Sequence, residues 1–253
     1  MRDPLASHQT DSASIASAFL ADIGRCTTFS GLSILCLRTA AKNGIKALTY
    51  HHLPHIGAGE NLEVNVVCVG FPTELVERFL AARSIAIDPT IQLVLSGTKA
   101  KKWREIEYAN RPSKEEQDYL DYAAGQVGDG LNVPVFGPNG RNGYISLGFE
   151  VAKLDMSDSE IHLIQSCCQF AHLKYCELLL QELPAPTKLS RREKEILSWV
   201  AQGKSNNVIA DILGLSESSV ITYLERAFRK LDVDNRVTAA LRAFSLGMLD
   251  QLK

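Results

Sequence analysis

Residues Leu189–Leu231 read LSRREKEILSWVAQGKSNNVIADILGLSESSVITYLERAFRKL, and their order prescribes a local fold. Ser190 precedes Glu193 by three residues, so its hydroxyl can cap a helix start while the carboxylate reaches back to the free backbone N–H groups. Ile196, Leu197 and Val200 then recur at helical spacing, and Gly203 ends the run. Ser205 opens a second helix that turns Ile209, Ala210 and Leu213 inward. Gly214 follows, where a left-handed residue bends the chain sharply. Ser216 caps a third helix, in which Val220, Leu224, Ala227 and Leu231 make one apolar face. The spacing predicts a helix-turn-helix.

The opposite face of the third helix carries Ser219, Thr222, Tyr223, Arg226, Arg229 and Lys230, with Ser216 and Ser218 at its start. Arginines suit guanine edges or phosphates, and hydroxyls near a helix N-terminus suit phosphate, so the stripe fits double-stranded DNA. The same pattern fits a small helical domain with a solvated basic face. Charge is distributed accordingly. Lys188–Arg242 holds ten Lys/Arg against seven Asp/Glu, or +3, whereas the whole chain is −2, which leaves −5 elsewhere. Affinity for nucleic acid is expected to be local to the C-terminal part.

In order and spacing, LSRREKEIL, AQGKSNNVIA, LGLSESSV and KLDVDNR resemble the output domain of LuxR/NarL-class transcription factors. Glu193, Leu197 and Gly203 stand at positions characteristic of that class and read as scaffold. Ile221 and Tyr223 depart from it, since the class commonly carries Lys and His there; the operator sequence of a relative is therefore not transferable.

With 253 residues, 45% hydrophobic and 22% charged, the chain has room for two domains. No segment approaches the ~20 apolar residues of a membrane span. The polar start MRDPLASHQTDSAS is unlike a signal sequence, so a cytoplasmic location is expected. Cys26, Cys36, Cys68, Cys167, Cys168 and Cys176 lack C-x-x-C spacing and are expected to be reduced and mostly buried.

Periodicity predicts helices over Ser12–Ile23 and Phe29–Lys42, then strands over Ile45–His52 and Val64–Val69. Helical pattern returns over Phe71–Ala82, Thr90–Ser96 and Ser113–Ala124. Strands over Gly130–Phe136 and Gly143–Glu150 flank the turn signal Gly137-Pro138-Asn139-Gly140. Ser157 or Asp158 caps a long helix to about Leu180. This order predicts an α+β fold, an N-terminal α/β/α sandwich with an antiparallel sheet followed by a C-terminal four-helix helix-turn-helix domain. The expected boundaries are 1–181, a proline-containing linker over 182–188, and 189–253.

Phe71, Leu75 and Phe79 share one helical face ahead of Asp88-Pro89 and Trp103. An apolar core face with Asp88 as a helix cap accounts for the pattern equally well. The stretch also resembles the autoinducer-binding domain of LuxR-type quorum-sensing regulators, in which Y-P-x-x-W-x-x-x-Y precedes I-D-P and a tryptophan. That resemblance implies that Asp88, Thr90, Trp103 and Ser146 line a pocket for an acyl-homoserine lactone or analogue, with Gly130 ahead of a strand. It implies no further cofactor. Phe71, Leu75 and Phe79 replace Tyr, Trp and Tyr, so three donors are absent. Each lost bond costs about 1–3 kcal/mol, and apolar area, hence a long acyl chain, is expected to compensate.

His51, His52 and His55 cluster in sequence, yet neighbours on a strand face opposite ways and no thiol or carboxylate completes a set, so a solvated loop is expected. Cys168, His172 and Cys176 share a helix face too long for one metal, and read as a buried or dimer-facing stripe. Nothing resembles a nucleophile elbow, phosphate loop or metal-hydrolase motif, and no acidic pair marks a phosphorylated receiver. After the recognition helix, Val237, Leu241, Phe244 and Met248 form one apolar row and Ala239, Ala240 and Ala243 another, which predicts a homodimer. The expected protein is a non-enzymatic, ligand-sensing regulator acting on a two-fold symmetric operator, with RNA polymerase as a further partner. The rival reading keeps DNA binding but makes the first domain a ligand-free interaction or dimerisation module.

Overall fold

Alternation along the strands decides which side chains meet, because successive residues face opposite sides of a sheet. The computed structural model describes residues 4–53, 65–74, 76–77, 96–106, 112–182 and 188–249. Two units emerge, a larger one that ends at Leu180 and leaves out Asn139–Arg141, and a smaller one that takes in Asn139–Arg141 and the chain from Gln181 onward.

In the larger unit α1 (Pro4–Ile23) and α2 (Phe29–Lys42) precede β1 (Ala47–His52) and β2 (Asn65–Val69). Next come β3 (Lys101–Lys102), α3 (Lys114–Val127), β4 (Gly130–Val135), β5 (Gly143–Gly148) and α4 (Asp158–Glu182). The strands run antiparallel in the order β2-β1-β5-β4-β3, with Thr49 and Asn132 both opposite Ser146. Leu131, Val133, Val135, Ile145 and Leu147 fill one face and pack with Ile161 and Ile164 of α4. Phe19, Ile23 and Leu32 of the first two helices close on Leu178 of α4. Each such side chain contributes about 1.5–3 kcal/mol when fully buried. The other face of the sheet looks toward α3 across a cavity.

The expected α+β class and antiparallel sheet are found. α1 begins at Pro4, earlier than its apolar repeat, since proline is tolerated in a first turn and residues 5–11 carry no apolar period. β3, only two residues long, is too short to show alternation. The segments expected to be helical over 71–82 and 90–96 lie largely outside the described residues, although Thr73–Glu74 and Val76–Glu77 are helical. Ser113 and Glu116 cap α3 reciprocally, and Ser157 accepts from the Glu160 amide at the start of α4. At the predicted turn Asn139 and Gly140 both take positive φ, 58° and 80°. All six cysteines are free thiols, but only Cys176 is fully buried; the other five, on strand β2, in the turn after α1 and on α2 and α4, are half-buried, which corrects the expectation that most are buried.

The smaller unit contains α5 (Arg191–Ala201), α6 (Asn206–Leu213), α7 (Glu217–Leu231) and α8 (Arg236–Ser245). Ser190 and Glu193 form the expected capping box, with bonds of 3.3 and 2.6 Å. Gly214 has φ +63°, a left-handed conformation that a Cβ strains, and so allows the turn into α7. Ser216 accepts the Ser219 amide at 3.2 Å. Ser205 differs from expectation, since it stands at the N-cap of α6 while its hydroxyl bonds the Asn207 side chain and no backbone amide. Ile196, Leu197, Ile209, Val220, Ala227, Ala239 and Ala243 are completely buried together.

Met248 does not join the outer row of α8. The helix stops at Ser245, the Met248 N–H bonds Ala243 O, and the side chain turns into the core. Val237 and Phe244 remain 63% and 56% exposed, with Leu241 beside them.

Candidate functional site

Between the sheet and α3 lies a cavity of about 400 Å³. Thr49 and His51 of β1, Asn132 of β4, and Tyr144 and Ser146 of β5 line it, as the period of two requires. Trp103, Phe71 and Cys68 add apolar surface, and α3 contributes Gln117, Leu120 and Ala124. Of the predicted pocket residues, Phe71, Trp103 and Ser146 are therefore brought together. Leu75, Phe79, Asp88 and Thr90 lie outside the described residues, as does His55.

Trp103 packs against backbone. A Cβ at Gly130 would stand 2.6 Å from the indole and 2.2 Å from Leu147 O, so only glycine fits at that point of β4. The ring's Nε1–H donates to Asn132 Oδ1 at 3.0 Å, and the Ser146 hydroxyl donates to the same oxygen at 2.7 Å. Two groups expected to hold a ligand thus converge on a buried amide that the sequence reading overlooked. Only an inward position on a strand, Asn132 between Leu131 and Val133, signalled it. Asp129 was overlooked as well. Its buried carboxylate accepts from the Gly130 and Leu154 amides at 2.9 and 2.8 Å and meets Arg104 at 3.4 Å, which ties the cavity wall together.

The histidines correct the solvated-loop expectation. His51 and His52 are buried on β1 because this strand pairs on both sides, with β2 and β5. They do face opposite ways. His51 stacks on Tyr144, with ring centroids 4.3 Å apart, and burial lowers its pKa to about 4. His52 faces α4 and its ring lies 5.9 Å from that of His172. A thiol also approaches this pair, contrary to expectation: Cys176 Sγ is 3.6 Å from His172 Nε2.

On α7, Ser216, Ser218, Thr222, Arg226 and Arg229 are exposed and Ser219, Tyr223 and Lys230 half-buried. Arg226 lies over the Tyr223 ring at 5.7 Å, and the Thr222 hydroxyl donates to Ser218 O at 2.9 Å. Lys230 departs from the stripe. Its ammonium donates to Glu193 at 2.7 Å, joining α7 to α5. Burial opposes the Glu193 charge, but hydrogen bonds from Lys230 and Ser190 prevail and hold its carboxyl below the usual carboxylate range. Arg242 of α8 closes the C-terminal end of α7, donating to Leu231 O and Asp232 O at 2.8 and 3.0 Å. No helix among the described residues is long and apolar enough to cross a membrane.

Comparison with known proteins matches both units. Residues 30–175 match the autoinducer binding domain, and residues 187–243 match the bacterial regulatory proteins of the luxR family. The HTH-type transcriptional regulator y4qH of Sinorhizobium fredii is 29% identical, over 72% of this chain and 56% of that protein. The transcriptional activator AnoR of Acinetobacter nosocomialis is 26% identical, over 83% of this chain and 89% of that one. The crystal structure of Escherichia coli SdiA has the same fold, with a TM-score of 0.73, 21% identity, and coverage of 95% of this chain and 100% of that one. Together the two family matches span both units, and the chain belongs to the LuxR family of quorum-sensing transcriptional regulators, with an autoinducer-binding domain and a DNA-binding helix-turn-helix domain.

Proposed function

We propose that residues 1–181 sense a small molecule with a long apolar body, an acyl-homoserine lactone or a related acyl signal, and that 189–253 respond by binding DNA, with 182–188 as linker. The observation that carries this reading is the 400 Å³ cavity, whose size suits a small ligand. Its polar wall is largely self-satisfied. Trp103 and Ser146 spend their donors on Asn132, so a lactone headgroup gains little there and chain burial dominates. SdiA, which shares the fold at a TM-score of 0.70, has been solved with octanoyl-rac-glycerol, an acyl chain on a head that is not a lactone. Phe71, Leu75 and Phe79 supply the apolar wall, and Asp88 and Thr90 the remaining polar contacts.

The protein acts in the cytoplasm as a homodimer on a two-fold symmetric operator, with RNA polymerase as its further partner. Val237, Leu241 and Phe244 are the exposed apolar row that supports pairing. Ser216, Ser218, Ser219, Thr222, Tyr223, Arg226 and Arg229 face the DNA, and Lys230 flanks them through its bond to Glu193. The internal satisfaction of Trp103 and Ser146 also favours a second reading, a first domain that folds and pairs without ligand.

Thermal shift with homoserine lactones and monoacylglycerols from four to sixteen carbons separates the two. The first reading expects affinity to rise by about 0.8 kcal/mol per buried CH₂ until the cavity is full, with operator affinity rising in step. Strong binding of the four-carbon lactone, or no response to any chain while operator binding persists, refutes it.

A further inference from the structure

On the opposite face of the sheet from the cavity, His52 of β1 meets His172 and Cys176 of α4. One ligand-type atom from each lies within 4.8 Å of the other two. All three are buried, 8%, 1% and 0% exposed, and His172 and Cys176 stand one helical turn apart, so they project side by side. His172 presents Nε2 to the Cys176 sulfur at 3.6 Å. Metal bonds of about 2.0 Å to nitrogen and 2.3 Å to sulfur place these atoms about 3.5–3.8 Å apart, so this pair already has ligand spacing. The other ring nitrogen, Nδ1, is 2.9 Å from Tyr50 Oη. That contact is the outer hydrogen bond that fixes the ring of a metal-ligating histidine.

We propose that His52, His172 and Cys176 form a buried three-coordinate site for Cu(I), distinct from the ligand cavity. The choice of ion rests on softness and charge. Two imidazoles and a thiolate suit copper or zinc. As the Cu–S bond forms, the thiol proton leaves for solvent, and Cu⁺ with one thiolate and two neutral imidazoles has no net charge. Zn²⁺ in the same place leaves a net positive charge in a dry site, and no carboxylate among the described residues joins the cluster to cancel it. Copper stays Cu(I) throughout, so no oxidant is involved. Tyr50 positions His172 and does not ligate.

The test uses the full chain, reduced and anaerobic, equilibrated with Cu(I) buffered by bicinchoninate. One copper per chain is expected, with an X-ray absorption first shell of one sulfur and two imidazole nitrogens. Melting should rise by about 5 °C, since the ion binds the native state only. Tyr50→Phe, which keeps the ring and the fold, should weaken Cu(I) binding about 10- to 100-fold, and His52→Gln by more. The proposal falls if the first shell holds two or more sulfurs, which is the signature of the other cysteines. It falls equally if Zn²⁺ is retained in preference to Cu(I) at equal free concentration, or if folded Cys176→Ser binds Cu(I) unchanged. Should Cys176→Ser or His52→Gln fail to fold, the wild-type first shell and Tyr50→Phe decide.

Discussion

Replacing Asn132 by Leu is the sharpest probe of the cavity wall. In the native chain one carboxamide oxygen receives the Trp103 indole N–H at 3.0 Å and the Ser146 hydroxyl at 2.7 Å, at a residue only 2% exposed. Leucine has similar bulk and no acceptor. The Ser146 hydroxyl rotates freely and can find another acceptor, whereas the indole is held against Gly130 and Gly148 and cannot turn. One firmly orphaned donor costs about 1–3 kcal/mol. Leucine's own burial offsets part of this, so the single variant alone is ambiguous. A double-mutant cycle with Trp103→Phe removes the ambiguity, because phenylalanine has no donor to orphan. Urea unfolding followed by far-ultraviolet circular dichroism should give a coupling of about 1–2 kcal/mol between the two positions. The released indole N–H should in turn favour acyl ligands with a carbonyl near the head, by up to about tenfold in Kd over the wild type. Additive effects within about 0.5 kcal/mol, with no change in ligand preference, would refute this account of the wall.

Three further outcomes are expected. Glu193→Gln keeps the helix cap but breaks the pair with Lys230; because that ammonium remains one-third exposed, the loss should be about 1–2 kcal/mol in chemical denaturation. The wild-type pair contributes above the unfolded carboxylate pKa and is lost as pH falls through the lowered folded value, so the glutamine variant should flatten the acid limb. His51 has its folded pKa lowered from 6.5 to about 4, so the unfolded chain binds the extra proton first: as pH is lowered from 6.5 toward 4, stability should drop by about 1.4 kcal/mol for each pH unit, and His51→Phe should remove that slope in a pH series of unfolding curves. Phe244→Glu, on the exposed row of α8, should leave melting within about 2 °C while raising the operator Kd more than about tenfold; unchanged operator affinity by a species shown monomeric in sedimentation would contradict pairing there.

Local signals carried most of the C-terminal unit. Ser190 with Glu193, Gly214, and the row Val220, Leu224, Ala227 and Leu231 each act within a few residues, and each appears in the structure in its expected role. The strands were legible for the same reason, since β-branched alternation and the Asn139-Gly140 turn are short-range features. What sequence did not show depends on partners far along the chain. Asn132 reads as a polar residue in an apolar strand until sheet register sets it opposite Ser146 and folding brings Trp103 over Gly130. Lys230 looks like one more basic residue on the stripe until α5 packs beneath α7 and offers Glu193. Met248 fits the repeat of the last helix, but the helix stops three residues earlier and the chain folds back. The histidines show the division most clearly. Alternation alone determined that His51 and His52 face opposite sides, whereas pairing on both edges of β1 decided that both are buried, and the packing of α4 decided that His52 meets His172 and Cys176. Burial and long-range contact are properties of the packed layers, which no window of residues along one strand contains.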